Sequence, residues 1–256
     1  MFLPSFSLEG KTAAVTGAGK GIGRAIAIGF AEAGADVALI ARTVQDLEEV
    51  KKIIEKDIGR TAYVLQADVT NRMELAAALH QIKEQTGRID TLVNNAGMNI
   101  RTRALEVREE EWDQIMNTNL KSAFFASQEA GKIMKETGGT IINIASVAGH
   151  TALPTGAVYG SSKAALMHIT RILAYEWGAY DIRVNALGPW YFETPLTEKL
   201  LEDKEYVDKL LAVTPLNRIG RLPELVGPAV FLASEASRYV TGQTLMVDGG
   251  MTIHGF

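Results

Sequence analysis

Tyr159 and Lys163 stand four residues apart in the stretch SVAGHTALPTGAVYGSSK, which begins at Ser146. The following sequence, AVYGSSKAALMHITRILAYE, reads as a helix apart from one glycine. This spacing puts the phenol and the ammonium on one helical face, one turn apart. A phenol with an ordinary pKa of about 10 is a poor base at neutral pH. A cation beside it favours the tyrosinate and brings that value down. Ser146, at the end of the apolar run TIINIA, offers a hydroxyl that can hold a substrate oxygen close to the phenol. Together the three residue types can form a proton-transfer centre. Tyr and Lys at this spacing also occur on many surface helices with no chemical role, so the rest of the chain must supply the context.

That context is a regular alternation of elements. KTAAVT (11–16) is an apolar run ending at Gly17, the form of a buried strand, and GAGKGIGRAIAIGFAEAGA turns from it into an apolar helix. DVALIA follows as a second strand, completing a β-α-β unit. Helical stretches over 46–56, 72–85 and 109–135, and then the Tyr159 helix, precede the strands TAYVLQ, RIDTLVNN, GTIINIA and IRVNAL in turn. QTLMVDGG closes the set. Seven strands alternating with helices predict an α/β fold: a doubly wound, Rossmann-type, mostly parallel sheet with helices on both faces. With no linker, repeat or low-complexity tract, residues 1–256 are expected to form a single domain. Such sheets bind ligands outside the carboxyl ends of their strands. Gly17, Asp68, residues 94–97, Ser146 and residues 188–189 all fall just after predicted strands and so converge on one edge.

Bulk properties exclude several classes. Hydrophobic residues make up 47% of the chain and charged residues 22%, enough for a large core in a soluble protein. A net charge of −4 gives no reason to expect a nucleic-acid partner. The absence of cysteine rules out disulfides, thiolate metal sites and a cysteine nucleophile, and fits a reducing compartment. MFLPSFSLEGK lacks the basic and apolar regions of a signal peptide, and no apolar run is long enough to cross a bilayer. A cytoplasmic protein with no membrane partner is expected. His80, His150, His168 and His254 are too scattered to hold a metal.

Gly17, Gly21 and Gly23 have the spacing GxxxGxG directly after the first strand. Glycine allows positive φ and lets backbone N–H groups approach a pyrophosphate at the helix N-terminus, so a dinucleotide is the expected cofactor. A carboxylate at the end of the second strand would hold the ribose 2′-hydroxyl of NAD. This chain reads Ile40-Ala41-Arg42-Thr43, and its first downstream acid is Asp46. Arg42, with Lys20 as a second cation, suits a 2′-phosphate, which favours NADP(H) over NAD(H). Arg42 stacked on adenine and Lys20 simply solvated is the alternative arrangement.

TGAGKGIG, NNAG, a serine and YxxxK in this order resemble the classical short-chain dehydrogenase/reductase family, over nearly the whole length of the chain. The resemblance implies that Tyr159 is the general acid/base, that Ser146 orients the reacting oxygen, and that Lys163 holds the nicotinamide ribose and depresses the Tyr159 pKa. It implies that Asn119 is the fourth catalytic residue, holding a proton-relay water. For the cofactor it implies contacts from Gly17, Gly19, Lys20, Gly21, Ile22, Gly23 and Arg42 on the first half. Asp68 and Val69 would meet the adenine, and Asn95, Ala96 and Gly97 would lie along the cofactor. Tyr159, Lys163, Pro189, Phe192 and Thr194 would surround the nicotinamide end. Many relatives have Pro-Gly after the sixth strand where this chain has Gly188-Pro189-Trp190. Trp190 can narrow the pocket, stack on the cofactor or point away into a lid. The family's usual oligomers imply a homodimer or homotetramer built on the two long helices.

Substrate specificity is expected in residues 98–107, 150–158 and 190–211. YFETPLTEKLLEDKEYVDKLL looks like a lid of one or two short helices. Arg101, Arg103 and His150 are candidates to hold an anionic group of the substrate, because paired cations suit a carboxylate, and Trp190 is a further candidate substrate residue. NNAGMNIRTRALEV and the C-terminal segments resemble the gluconate 5-dehydrogenase branch of the family. That branch implies a small-molecule sugar acid, with gluconate and 5-ketogluconate interconverted. A 3-oxoacyl-acyl-carrier-protein reductase shares the whole catalytic set. The helix ends Lys135-Glu136-Thr137-Gly138 and Gly178-Ala179-Tyr180-Asp181 give it only a thin cationic docking surface. A broad carbonyl reductase is a further alternative. A non-catalytic NADP-binding sensor is disfavoured by the presence of Asn119, Ser146, Tyr159 and Lys163.

Overall fold

The computed structural model describes residues 2–253; His254 lies outside the described residues. Seven strands form one sheet: β1 (Thr12–Thr16), β2 (Asp36–Ala41), β3 (Ala62–Gln66), β4 (Thr91–Asn94), β5 (Gly139–Ile144), β6 (Ile182–Pro189) and β7 (Thr244–Val247). Their order is β3-β2-β1-β4-β5-β6-β7, and every neighbouring pair is parallel. The order reverses beside β1, between β2 and β4, which opens a crevice at the carboxyl edge.

Strand alternation divides the apolar side chains between two cores. Ala13, Val15, Val37 and Leu39 point to a layer with α1 (Gly21–Glu32), α2 (Val44–Ile53) and α9 (Pro223–Ala233), where Phe30 and Leu47 are fully buried. Ala14, Ala38, Ile40 and Leu92 point the other way, onto α3 (Arg72–Thr86), α5 (Ser122–Met134) and α6 (Ala157–Trp177). Runs such as AAV and VALI are apolar at every position because both faces of the sheet are covered.

The structure splits one predicted element and resolves another. The stretch expected as one helix over 109–135 is α4 (Glu109–Met116), a π turn over Asn117–Lys121, and then α5. Asn119 lies in that π turn and is 1% exposed; such wide turns recur at functional sites. The expected lid resolves into two helices, α7 (Glu198–Leu201) and α8 (Lys204–Ala212). Asp203 caps α8 by accepting from the Tyr206 N–H.

Glycine is required where the first turn meets the sheet. Gly17 has φ +65°, and a Cβ on Gly23 would lie 2.3 Å from both the Gly17 carbonyl oxygen and Asn95 Nδ2. Neither neighbour is the free end of a flexible chain. Gly23→Ala is expected to destabilise the protein by about 3 kcal/mol, lowering Tm by roughly 5–10 °C, and to weaken dinucleotide binding. A thermal melt that matches the parent would reject this close-packed reading.

Candidate active site

The Ser146 turn and the Tyr159 helix are brought together by the glycine that interrupts the helical pattern. A Cβ on Gly160 would lie 2.8 Å from the Ala148 carbonyl oxygen. Its absence lets the turn after β5 sit directly on the first turn of α6. Ser146 Oγ accepts from Ala148 N–H at 3.1 Å, and its hydroxyl favours the charged form of the Tyr159 phenol. Lys163, one turn further on, is 4% exposed and donates from Nζ to the Ile144 carbonyl at 2.7 Å. The ammonium lies 5.7 Å from the Tyr159 ring centroid.

Electrostatics here depart from the simple Tyr–Lys picture. Burial pushes the Tyr159 phenol above its ordinary pKa, against lowering contributions from the Ser146 hydroxyl and the Arg101 charge. Tyr159 therefore stays a phenol at neutral pH in the free protein. The guanidinium that acts on it comes from Arg101, in the loop after β4, and the expected lowering by Lys163 is not seen. Lys163 is itself depressed to about 8 by desolvation.

Asn119 fastens the same loop. Its Oδ1 accepts from Met98 N–H at 2.8 Å, while Nδ2 donates to the Met98 carbonyl at 2.9 Å and to Ser162 Oγ at 3.2 Å. The side chain expected to hold a relay water thus ties the β4 loop to α6 beside Lys163. Asn95 is likewise a brace. Its Nδ2 donates to the Thr16 and Gly17 carbonyls at 2.9 and 3.2 Å, and its N–H and that of Ala96 both donate to Thr16 Oγ1. Gly97 is pressed between catalytic candidates, since a Cβ there would lie 3.3 Å from Asn119 Oδ1 and 3.5 Å from Lys163 Nζ.

The glycine turn fits a dinucleotide. Lys20, the residue before α1, makes no side-chain cap, and the first turn of α1 contains no acid. The leading N–H groups of the helix therefore remain available to an anion. Gly21, with φ +54°, faces Thr194 and Pro195, whose side chains would stand 3.6 Å from an added Cβ. Gly19 packs on Asp46, and Ile22 turns into the core. Arg42 is 80% exposed, with Asp68 no closer than 4.0 Å. Lys20 is ion-paired with Asp46 at 3.1 Å, so it is not the free second cation of the sequence reading. Asp68 accepts from the Thr70 N–H and hydroxyl; burial raises its pKa, but these bonds and Arg42 outweigh it and hold the carboxyl below its usual value. Val69 packs beside Leu75, Asn94 and Ala96.

On the lid side, Thr194 N–H and hydroxyl both meet Thr197 Oγ1. Phe192 is buried with its ring against Gly220, and Pro189 ends β6. Trp190 Nε1 donates to Thr214 Oγ1 at 3.1 Å, and the residue lines a cavity of about 100 Å³ with Leu216, Val247 and Gly249. Of the expected anion holders, only Arg101 is engaged. Its Nη2 donates to the Tyr191 hydroxyl at 3.2 Å and its Nη1 to the Tyr206 hydroxyl at 3.4 Å. The side chains of Arg103 and His150 are exposed and make no hydrogen bond or ion pair among the described residues. Tyr191 and Tyr206 were not singled out in the sequence, because nothing local marks two tyrosines fifteen residues apart as partners.

Comparison with known proteins sets this geometry in a family. Residues 17–252 match the family model described as Enoyl-(Acyl carrier protein) reductase. The gluconate 5-dehydrogenase of Gluconobacter oxydans (strain 621H) is 41% identical over 249 residues, covering 97% of each chain. The 2-dehydro-3-deoxy-D-gluconate 5-dehydrogenase of Escherichia coli (strain K12) is 43% identical over 255 residues, covering 98% of each. Among solved structures, a gluconate 5-dehydrogenase from Burkholderia cenocepacia J2315 in complex with NADP and tartrate superimposes with a TM-score of 0.94. It is 38% identical and is covered, like this chain, to 98%.

Proposed function

The chain belongs to the short-chain dehydrogenase/reductase family, and on that premise we propose that it interconverts a secondary alcohol and a ketone on a sugar acid such as gluconate and 5-ketogluconate, with NADP(H) as cofactor. What supports this reading is the placement of Ser146 after β5 and of Tyr159 and Lys163 at the start of α6, packed against the β4 loop that carries Gly97 and Arg101.

The α1 N-terminus and Gly21 would hold the pyrophosphate, Arg42 the 2′-phosphate, and Lys163 and Thr194 the nicotinamide end. When bound, NADP supplies the site that accepts or returns a hydride. The protein manages the proton and the geometry. Ser146 Oγ holds the substrate oxygen against the Tyr159 hydroxyl. During oxidation Tyr159, as tyrosinate, takes the alcohol proton; during reduction it gives that proton back. Arg101 holds the substrate carboxylate, placing the reacting carbon at a set distance from Tyr159. The exposed apolar side chains Trp112, Ile172, Tyr175 and Tyr180 on and near the long helices are read as the contact between copies in a homodimer or homotetramer.

The test follows nicotinamide absorbance with NADP or NAD paired with gluconate and, in the reverse direction, with NADPH or NADH paired with a 3-oxoacyl thioester. NADP-dependent oxidation of gluconate is expected, and Arg42→Asp should lower kcat/KM with NADP by roughly tenfold or more while sparing NAD. Reduction of the thioester alone would overturn the sugar-acid reading, and faster initial rates with NAD would overturn the cofactor assignment.

A further inference from the structure

Arg101, Tyr191 and Tyr206 come from three distant segments: the loop after β4, the residue beyond Trp190 at the end of β6, and the lid helix α8. Tyr191 is buried, and Trp190 packs edge-on against it with ring centroids 4.7 Å apart. The Tyr191 and Tyr206 rings meet edge-to-face at 5.9 Å, and their hydroxyls hydrogen-bond each other. Arg101 reaches both hydroxyls, so the three polar ends form a closed triangle.

Counting hydrogens in the triangle shows what it lacks. A guanidinium has five N–H donors and no acceptor, and each phenol has one O–H. Two Arg101 donors end on the phenol oxygens, and one phenolic hydrogen is used between the tyrosines. The other phenolic hydrogen and the remaining guanidinium hydrogens have no acceptor among the described residues, and no carboxylate pairs with Arg101. Burial holds Tyr191 near 12, so it remains a donor through the neutral range. The hydrogens left over outnumber the one free phenol lone pair and, on the exposed Arg101, face solvent; such a donor-rich cluster is complementary to an anion with several acceptor lone pairs, and a planar carboxylate matches the guanidinium fork.

We infer that Tyr191 and Tyr206 are specificity-determining residues that join Arg101 in a donor-rich cup for a substrate carboxylate, so that the lid helix carries part of the charge recognition. This rests on the sugar-acid reading of the same site and adds to it residues outside the Ser-Tyr-Lys centre. Tyr191 is fixed by the sheet and by Trp190, whereas Tyr206 arrives with α8. A carboxylate in the cup therefore binds sheet and lid at once, and a neutral polyol of the same shape lacks that link.

The experiment titrates the NADP-loaded protein with tartrate by calorimetry, beside steady-state oxidation of gluconate and of the neutral polyol glucitol. Tyr206→Phe and Tyr191→Phe keep the rings and remove only the hydroxyls. Each is expected to weaken tartrate about tenfold and to raise KM for gluconate by a similar factor, with kcat little changed and any glucitol KM unmoved. Arg101→Met is expected to abolish tartrate binding. Wild-type tartrate affinity and gluconate KM in both phenylalanine variants would overturn the cup, even if gluconate is turned over normally. A loss of glucitol activity equal to that of gluconate would also overturn it, since that marks a general lid defect. If tartrate binding depends on the two hydroxyls but no sugar acid is oxidised, the cup stands and the proposed reaction fails.

Discussion

Tyr159→Phe is expected to lower kcat by a factor of about 10²–10⁴ in either direction while leaving NADP affinity nearly unchanged. The substitution keeps the ring at the start of α6 and deletes only the group that moves the proton. Its hydroxyl is influenced by Ser146 and takes no part in the glycine turn or in the Arg42 edge, so cofactor binding has no reason to move. The pH profile sharpens the test. Oxidation needs the tyrosinate, and burial raises the Tyr159 pKa. The kcat/KM for alcohol oxidation should therefore climb as pH rises through the alkaline range, whereas ketone reduction should fall there. Arg101 lowers this pKa, so Arg101→Met should move both limbs to higher pH. Near-normal turnover of the phenylalanine variant would remove Tyr159 from the acid/base role.

Lys163→Met is expected to abolish most activity and, in the cofactor-free protein at pH 7, to raise Tm by several degrees. Lys163 is 4% exposed, has no carboxylate partner among the described residues and is depressed from 10.5 to about 8 by desolvation. Below about pH 8 the folded protein carries a buried ammonium. That depression corresponds to roughly 3 kcal/mol at most, and the lost bond to the Ile144 carbonyl offsets about 1 kcal/mol of the gain. The sign with pH follows. Between about 8 and 10.5 the unfolded chain holds the proton and the folded chain has released it, so wild-type stability rises with pH relative to the variant. The Tm gap should therefore be widest below pH 8 and should narrow toward pH 10. A variant that melts lower than wild type at pH 7 would contradict this electrostatic cost. Lys163 thus marks the tension between stability and function: the fold retains a charge it would be more stable without.

The elements were legible in the sequence because their signals are local and covalent in origin. The period of two in a strand and the 3.6-residue turn of a helix follow from backbone geometry, so AAV, VALI and TIINI announced a sheet covered on both faces. The glycines after β1 and the Tyr159–Lys163 spacing belong to the same class, since each is a constraint within a few residues. The interrupting glycine at 160 was visible too, although its reason, the approach of the Ala148 carbonyl, lies in another segment.

What the tertiary structure decided was the partner of each polar side chain. Lys20 is spent on Asp46, Asn95 on the Thr16 and Gly17 carbonyls, and Asn119 on the Met98 backbone. Trp190 is held by Thr214, and Arg101 rather than Arg103 meets two tyrosines ninety or more positions away. Such choices depend on which distant loops arrive within about 3 Å of a flexible side chain, a distance much shorter than its reach. Periodicity carries no information about that, so the chemistry could be read along the chain but the contacts that shape the pocket could be read only in the folded molecule.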